Sequence, residues 1–154
     1  MALVDSNVIL DIVTADDEWM DWSAAALARQ ADAGPLAVDP IIYAEAAARF
    51  ARIEDLEAAL PSDYFQRLPL PWEAAFLAGR SFVACRWRGG ARRSPLPDLY
   101  IGAHAVVGGM TLLTRDPARY RTYFPRLRFV APQRGVPDPR GSGVSVWDLS
   151  PFYS

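Results

Sequence analysis

The sequence is poor in the residues that most often build disulfides, zinc sites and membrane spans. It has one cysteine, Cys85, and one histidine, His104, in 154 residues, and all 16 of its basic residues are arginine. A single cysteine cannot form an internal disulfide, and no spacing typical of a zinc site is present. No apolar run approaches the roughly 18 residues that a membrane span requires. Because the N-terminus lacks the basic stretch of a signal peptide, we expect a cytoplasmic protein with no membrane contact.

The chain does contain enough apolar sequence for one globular domain, and its charge is unevenly distributed. Hydrophobic residues make up 51% of the sequence, and the net charge is −2. Residues 1–63 carry 13 acids and 3 arginines, whereas residues 64–154 carry 5 acids and 13 arginines. A polyanion would be attracted to the second half and repelled by the first unless cations intervene. Alternatively, the two halves pair across the fold, and the charge pattern alone leaves both interpretations open.

Short apolar runs alternate with helical patterns along the chain. Four runs have the length and composition of buried strands: residues 2–4, 36–38, 111–114 and 127–130. Such alternation is typical of a parallel sheet with helical cover. We predict an α/β fold with a central, mostly parallel sheet covered by helices in three α/β/α layers. The domain occupies residues 1–131, and the Pro/Gly-rich segment 132–154 is a C-terminal extension.

The longest helical pattern begins at Trp72. Apolar residues recur there at spacings of three and four, which predicts an amphipathic helix. The stripe consists of Trp72, Ala75, Phe76, Gly79, Phe82 and Val83. Helical spacing also makes Trp19, Trp22 and Trp72 core or interface residues before base-stacking ones. Cys85 lies on the same helix and is predicted to be a core thiol.

Four carboxylates stand near the ends of strands or the beginnings of helices. Asp5 and Asp116 follow strands, Glu45 lies in the helix after the second strand, and Asp98 opens a helix. In an open parallel sheet these positions share the edge at which ligands bind. Clustered carboxylates repel one another, and hard oxygen ligands of this kind suit Mg²⁺ or Mn²⁺. Taken singly, Asp98 and Asp116 favour helix capping, whereas Glu45 lies among alanines and needs a partner.

These acids lie in segments that resemble the successive motifs of PIN-domain nucleases, most closely the VapC-type ribonuclease toxins of VapBC toxin–antitoxin pairs. The segments are Val4–Asn7, the helix around Glu45, Pro97–Ala105 and Leu113–Pro117. The resemblance implies a PIN-like fold over residues 2–131. It also implies an RNA substrate, a VapB-type antitoxin as partner, and a homodimer.

For the site itself, the resemblance implies a bound Mg²⁺ or Mn²⁺ and two assisting polar side chains. The metal-binding and catalytic residues would be Asp5, Glu45, Asp98 and Asp116, and the assisting residues Asn7 and Thr114. Such a site needs no side-chain nucleophile, because a metal-activated water attacks the phosphodiester.

The other polar residues near these motifs receive structural interpretations. Ser6 is predicted to cap the first helix, and Asp11 is predicted to be a surface residue. His104 lies six residues beyond Asp98 on the same helix. We therefore predict a packed structural histidine rather than a general base.

A basic loop precedes the third acidic motif. It contains Arg86, Arg88, Arg92 and Arg93, and we predict that they place an RNA backbone over the acidic edge of the sheet. The alternative is a merely solvated loop.

Together these patterns predict a metal-dependent endoribonuclease that is the toxin of a type II toxin–antitoxin system. The alternative is a catalytically inactive PIN-like module that binds RNA or protein. A phosphatase of another α/β family is disfavoured, because an aspartyl-phosphate enzyme would have a second aspartate where Asn7 stands.

Overall fold

The N-terminal apolar run forms the central strand of a parallel sheet. The computed structural model describes residues 1–87 and 96–133, and the predicted extension lies outside them from Arg134 onward. All four strand pairings are parallel, in the order β3-β2-β1-β4-β5, which confirms the predicted α/β sheet. The strands are β1 (Ala2–Val4), β2 (Leu36–Val38), β3 (Phe65–Arg67), β4 (Thr111–Leu113) and β5 (Phe129–Val130).

Helices connect the strands and cover the sheet in the predicted three-layer arrangement. They are α1 (Ser6–Val13), α2 (Met20–Ala33), α3 (Pro40–Ala47), α4 (Ile53–Ala59), α5 (Trp72–Trp87), α6 (Leu96–Val107) and α7 (Ala118–Arg121). A search of these described helices finds none with the length and apolar content needed to cross a membrane.

The core is built from strands that are buried along their whole length. Leu3, Val4 and Ala37 are fully buried, as are Leu112 and Leu113 on the neighbouring strand. Strands that are covered on both faces bury successive side chains, which is why they appear in the sequence as unbroken apolar runs rather than alternating ones.

Strand β3 was not predicted, because the sequence there lacks an apolar run. Phe65 is buried, but Gln66 and Arg67 are exposed at the edge of the sheet. An edge strand needs one covered side chain and backbone pairing, and Leu36 to Val38 supply that pairing. Hydrophobic periodicity does not detect so short and polar a strand.

Helix α5 forms as predicted, and Leu77 and Phe82 pack half-buried against the core, but its other large apolar side chains are exposed. Its buried positions are small residues, Ala74, Ala78, Ser81 and Cys85, on the side that packs against α6. Trp72 is 88% exposed and Phe76 is 73% exposed, which corrects the core alternative for Trp72. Small side chains allow the two helices to approach closely, whereas Trp72, Phe76 and Val83 lie on the solvent-exposed side of α5. The buried Cys85 agrees with the predicted core thiol.

A buried histidine–aspartate pair joins α3 to α6. Asp39 begins α3, where its Oδ1 accepts hydrogen bonds from the backbone N–H groups of Ile41 and Ile42. Its Oδ2 lies 2.9 Å from Nδ1 of His104, and both side chains are almost completely buried. His104 therefore has the packed structural position predicted for it. Six residues separate Asp39 from Glu45 and His104 from Asp98, so this contact holds together the two helices that carry these acids.

We expect His104→Leu to lower the free energy of unfolding by about 3 kcal/mol, because it leaves the Asp39 carboxylate buried without its partner. His104→Asn is the matched control, since its side-chain amide can donate from nearly the position of Nδ1, and it should recover more than half of that loss. Urea denaturation at pH 7.5 measures both. Equal losses in the two variants would contradict a role for the hydrogen bond.

Candidate active site at the carboxyl edge of the sheet

Asp5 lies directly after β1, at the centre of the carboxyl edge, and is 3% exposed. Its Oδ2 accepts hydrogen bonds from Thr114 Oγ1 (2.8 Å), Tyr120 Oη (2.8 Å) and Asn7 Nδ2 (3.1 Å). Burial raises the pKa of Asp5, although the bonds from Thr114 and Tyr120 act in the opposite direction. The other oxygen, Oδ1, lies 3.5 Å from the Ser6 hydroxyl, a longer contact than any of the three to Oδ2. Oδ1 is therefore the oxygen left for another ligand.

Glu45 is brought to this edge by Ser6. The Ser6 hydroxyl donates a 2.7 Å hydrogen bond to Glu45 Oε2, so Ser6 links α1 to α3. The predicted capping role of Ser6 is wrong, because the residue lies inside α1 and Asp5 occupies the cap position. Burial raises the pKa of Glu45, and the negative charge of Asp5 adds to that rise. Glu45 is half-buried, and the Ser6 hydroxyl supplies the polar partner that its alanine-rich surroundings require.

Asp98 combines deep burial with an unsatisfied carboxylate oxygen. It lies in the first turn of α6 and is 3% exposed, yet no donor among residues 1–87 and 96–133 makes a hydrogen bond with its Oδ2. Burial, followed by the charges of Asp5 and Glu45, raises its pKa from 3.8 to about 6, while Arg119 acts in the opposite direction. A buried carboxylate oxygen without a donor is costly unless a cation approaches it.

Asp116 lies on the loop between β4 and α7. Its backbone N–H donates to Thr114 Oγ1 at 3.1 Å, and its Oδ2 accepts a 2.9 Å hydrogen bond from Arg119 Nε. Neither Asp116 nor Asp5 makes a side-chain capping bond to its helix. The capping alternative therefore does not account for Asp116.

Asp11 is buried, which contradicts its predicted surface position. It is 3% exposed, its Oδ2 accepts a 2.7 Å bond from Ser23 Oγ, and its Oδ1 lies 3.2 Å from Arg115 Nη1. Arg115 also donates its backbone N–H to Asn7 Oδ1 at 3.3 Å. Burial raises the pKa of Asp11. Asp11 therefore holds Arg115, and with it the loop that carries Thr114 and Asp116, without contacting the acidic cluster itself.

Two polar residues that contact the acids were not predicted from the sequence. Tyr120 is buried and donates to Asp5, and burial raises its pKa well above the ordinary value, so it remains a donor. Arg119 pairs with Asp116 and approaches Asp98. Arg119 and Tyr120 follow Asp116 by three and four residues, a spacing that places helical side chains on the same face. From the sequence alone, that spacing could have indicated that both residues lie near Asp116.

The four acids approach one another without forming a finished metal site. Within residues 1–87 and 96–133, no three acidic, histidine or cysteine side chains stand close enough to be a ready-made ligand set. Glu45 is bound to Ser6, and Asp116 is turned toward Arg119. A hard divalent cation nevertheless suits these residues, because the donors are carboxylate oxygens and the buried Asp98 Oδ2 lacks a partner.

Of the predicted RNA-binding arginines, only one lies in the described part of the chain. Arg86 is exposed in the last turn of α5. Arg88, Arg92 and Arg93 lie outside the described residues. The contribution of this loop to nucleic-acid binding therefore stays a prediction.

The fold and the clustered carboxylates define an α/β protein with an acidic site at the carboxyl edge of a parallel sheet. The sequence profile of the PIN domain matches residues 2–125, which is most of the chain. The chain belongs to the PIN-domain family. PIN domains are generally nucleases, so this membership places the chain in a class of hydrolases. Among curated proteins, no sequence matches the chain.

Solved structures with this fold include toxin–antitoxin complexes. VapBC2 from Rickettsia felis, bound to a promoter DNA fragment, matches with a TM-score of 0.64 and 17% identity over 84% of this chain and 97% of that chain. VapBC-1 from nontypeable Haemophilus influenzae matches with a TM-score of 0.65 and 17% identity, over 84% of this chain and 96% of that chain. FitAcB from Neisseria gonorrhoeae matches with a TM-score of 0.60 and 19% identity, over 84% of this chain and 96% of that chain. At these identities the likeness shows a shared fold.

The raised pKa of Asp98 predicts a stability cost at neutral pH. Between the unfolded value of 3.8 and the folded value of about 6, the native state binds more protons than the unfolded state. Stability contributed by this residue therefore falls as pH rises through that window, and it stays low above it. We expect Asp98→Asn to unfold at higher urea than wild type at pH 7.5 with EDTA, by about 1–2 kcal/mol after allowance for solvent screening.

At pH 4.5 the same comparison should show a much smaller difference, because Asp98 is then largely protonated. Asp63→Asn, an exposed acid, is the control and should change stability little at either pH. An Asp98→Asn variant less stable than wild type at both pH values would contradict the electrostatic account.

Proposed function

We propose that this protein is a metal-dependent endoribonuclease and the toxin of a type II toxin–antitoxin system. The observation that carries the proposal is the position of Asp98, a buried carboxylate without a hydrogen-bond partner, beside Asp5 in a PIN domain. A buried acid in that condition suits a bound cation better than it suits a purely structural role. The toxin assignment is supported by the fold shared with VapBC and FitAcB complexes.

Mg²⁺ or Mn²⁺ is the proposed cofactor, held by carboxylates from four different parts of the chain. The ligands would be Asp5, Glu45, Asp98 and Asp116. When bound, such an ion supplies an activated water and neutralises negative charge at the phosphodiester. The donor set favours these two ions over softer metals, because it contains carboxylate oxygens and no thiolate or imidazole.

The chain's own polar residues position the acids for that chemistry. Three donors hold Asp5 through Oδ2, which fixes the orientation of the carboxylate and leaves Oδ1 for ligation. Asn7 and Thr114 are also hydrogen-bonded to each other at 3.1 Å, so they act as one support. Such partners orient ligands and strengthen the site without touching the substrate.

RNA is the proposed substrate, bound through its phosphates. An acidic pocket repels a polyanion, so basic groups beside it must supply the attraction. Arg86, Arg88, Arg92 and Arg93 are the proposed phosphate contacts. The competing proposal, an inactive module that binds RNA or protein, is disfavoured by the presence of all four acids, since an inactive site has no need to bury Asp98.

We expect purified wild-type protein to cleave RNA internally with Mg²⁺ or Mn²⁺, and EDTA to abolish cleavage. Asp98→Asn should reduce the cleavage rate by at least about 100-fold, because it removes a charged metal ligand. Denaturing gels of a mixed RNA pool measure the fragments.

Asp63→Asn is the matched control, since it removes an exposed carboxylate and should cleave like wild type. Equal cleavage by wild type and Asp98→Asn would reject the metal-dependent mechanism. Metal-indifferent RNA binding without cleavage would favour the inactive module instead.

The proposed protein partners are a VapB-type antitoxin and a second copy of this chain. The outward stripe on α5 supports the second copy, because Trp72, Phe76 and Val83 form an exposed apolar helix face. Gly79 lies in the same stripe, and a Cβ there would meet no neighbouring atom, so another backbone has room to approach. Apolar faces of this kind are typical of homodimer interfaces.

We expect the protein to sediment at twice its 17.0 kDa chain mass. Phe76→Asp should shift it to the monomer, because a charge in an apolar interface is costly. Ile53→Asp is the matched control, since it changes an equally exposed apolar residue on α4 outside that stripe, and it should remain dimeric. Analytical ultracentrifugation measures both variants, and a wild-type monomer would reject the dimer.

A further inference from the structure

Arg119 is the basic residue that contacts the four-acid cluster within the described part of the chain. Its Nε donates to Asp116 Oδ2 at 2.9 Å, and its Nη1 lies 3.7 Å from Asp98 Oδ2. Its charge also acts on Asp5 and Glu45, where it opposes the effect of burial. One guanidinium therefore lies against Asp116 and Asp98 and acts electrostatically on Asp5 and Glu45 as well.

The contact between Arg119 and Asp98 is incomplete. A separation of 3.7 Å is too long for a hydrogen bond, and Asp98 Oδ2 has no other donor. The Arg119 side chain is 54% exposed, whereas that of Asp98 is 5% exposed. The cation can therefore move toward solvent with little loss of packing, while the acid cannot.

We infer that Arg119 is an internal counter-cation that competes with a divalent metal ion for Asp98, and so lowers the metal affinity of the cluster. This inference rests on the proposed metal-binding function. An ion that ligates Asp98 repels the Arg119 guanidinium. The guanidinium then either remains paired with Asp116 or turns toward solvent. The same repulsion weakens ion binding, because coupling between two cations at one site is reciprocal.

A second consequence follows for the nucleic acid. The Nη groups of Arg119 make no hydrogen bond with Asp98, and once an ion has repelled the guanidinium from that acid they face a ligand at the edge of the cluster. Guanidinium donors match phosphate oxygens in geometry and charge. Metal loading and exposure of a phosphate-binding arginine are then linked, so that the site attracts RNA most strongly when it holds its ion.

The experiment is a Mn²⁺ titration of the full-length protein by calorimetry at pH 7.5 and low salt. Arg119→Gln should bind Mn²⁺ about 3- to 10-fold more tightly than wild type, the size expected for one nearby charge in partly screened surroundings. Arg119→Lys keeps the charge and should stay within about twofold of wild type. Arg126→Gln removes an exposed charge on the following segment and should behave likewise.

Thermal melts of the same samples provide the second readout. With EDTA, Arg119→Gln should melt below wild type, because four acids lose their counter-charge. Excess Mn²⁺ should then raise its melting temperature by more than it raises that of wild type, since tighter binding to the native state stabilises it more.

The outcomes separate this inference from the function on which it rests. If wild type binds Mn²⁺ and Arg119→Gln binds it equally or more weakly, the counter-cation role is overturned and the metal site stands. If Arg126→Gln tightens binding as much as Arg119→Gln, the effect is one of net charge and the inference is also overturned. If wild type binds no Mn²⁺, both the metal site and the inference are rejected.

Discussion

The burial of negative charge at the carboxyl edge of the sheet is the constraint on which the rest of the structure depends. Asp5 and Asp98 are each 3% exposed, and neither contributes to the apolar core around it. Burying a carboxylate costs free energy, and the polar side chains around Asp5 and Glu45 reduce that cost. Asn7, Thr114 and Tyr120 donate to Asp5, and Ser6 donates to Glu45. A fold selected for stability alone would place apolar residues there, and a buried polar cluster of this kind is typical of functional sites.

Much of this arrangement was accessible from the sequence, for a simple topological reason. Parallel strands that alternate with helices bring their carboxyl ends to one edge, so an acid that directly follows a strand can be assigned to that edge from the sequence alone. Asp5 and Asp116 are located by that rule, and Asp39 with Pro40 identifies the beginning of α3 through capping chemistry. The strands β1, β2 and β4 are fully covered or nearly so, and therefore appear as plain apolar runs.

The sequence failed where a residue's partner lies far along the chain or where size outweighs polarity. Ser6 has the composition of a cap, but its partner is 39 residues away. Asp11 resembles a surface acid until Arg115 is placed beside it. In α5, hydrophobicity did not identify the fully buried positions, because close helix packing there selects alanine, serine and cysteine over tryptophan. Each failure concerns tertiary contact, which local pattern does not encode.

The position of β1 has a consequence for the order in which the parts of the sheet fold. Strand β1 precedes the other described strands along the chain and is the centre of the sheet, yet one of its two neighbours, β4, begins only at Thr111. Pairings this distant in sequence close slowly and late. Thr114 and Tyr120, two of the donors that hold Asp5, come later still. A chain that stops before Thr114 therefore lacks two of the donors that hold Asp5, and the acidic site is complete only after β4 and α7 have joined β1.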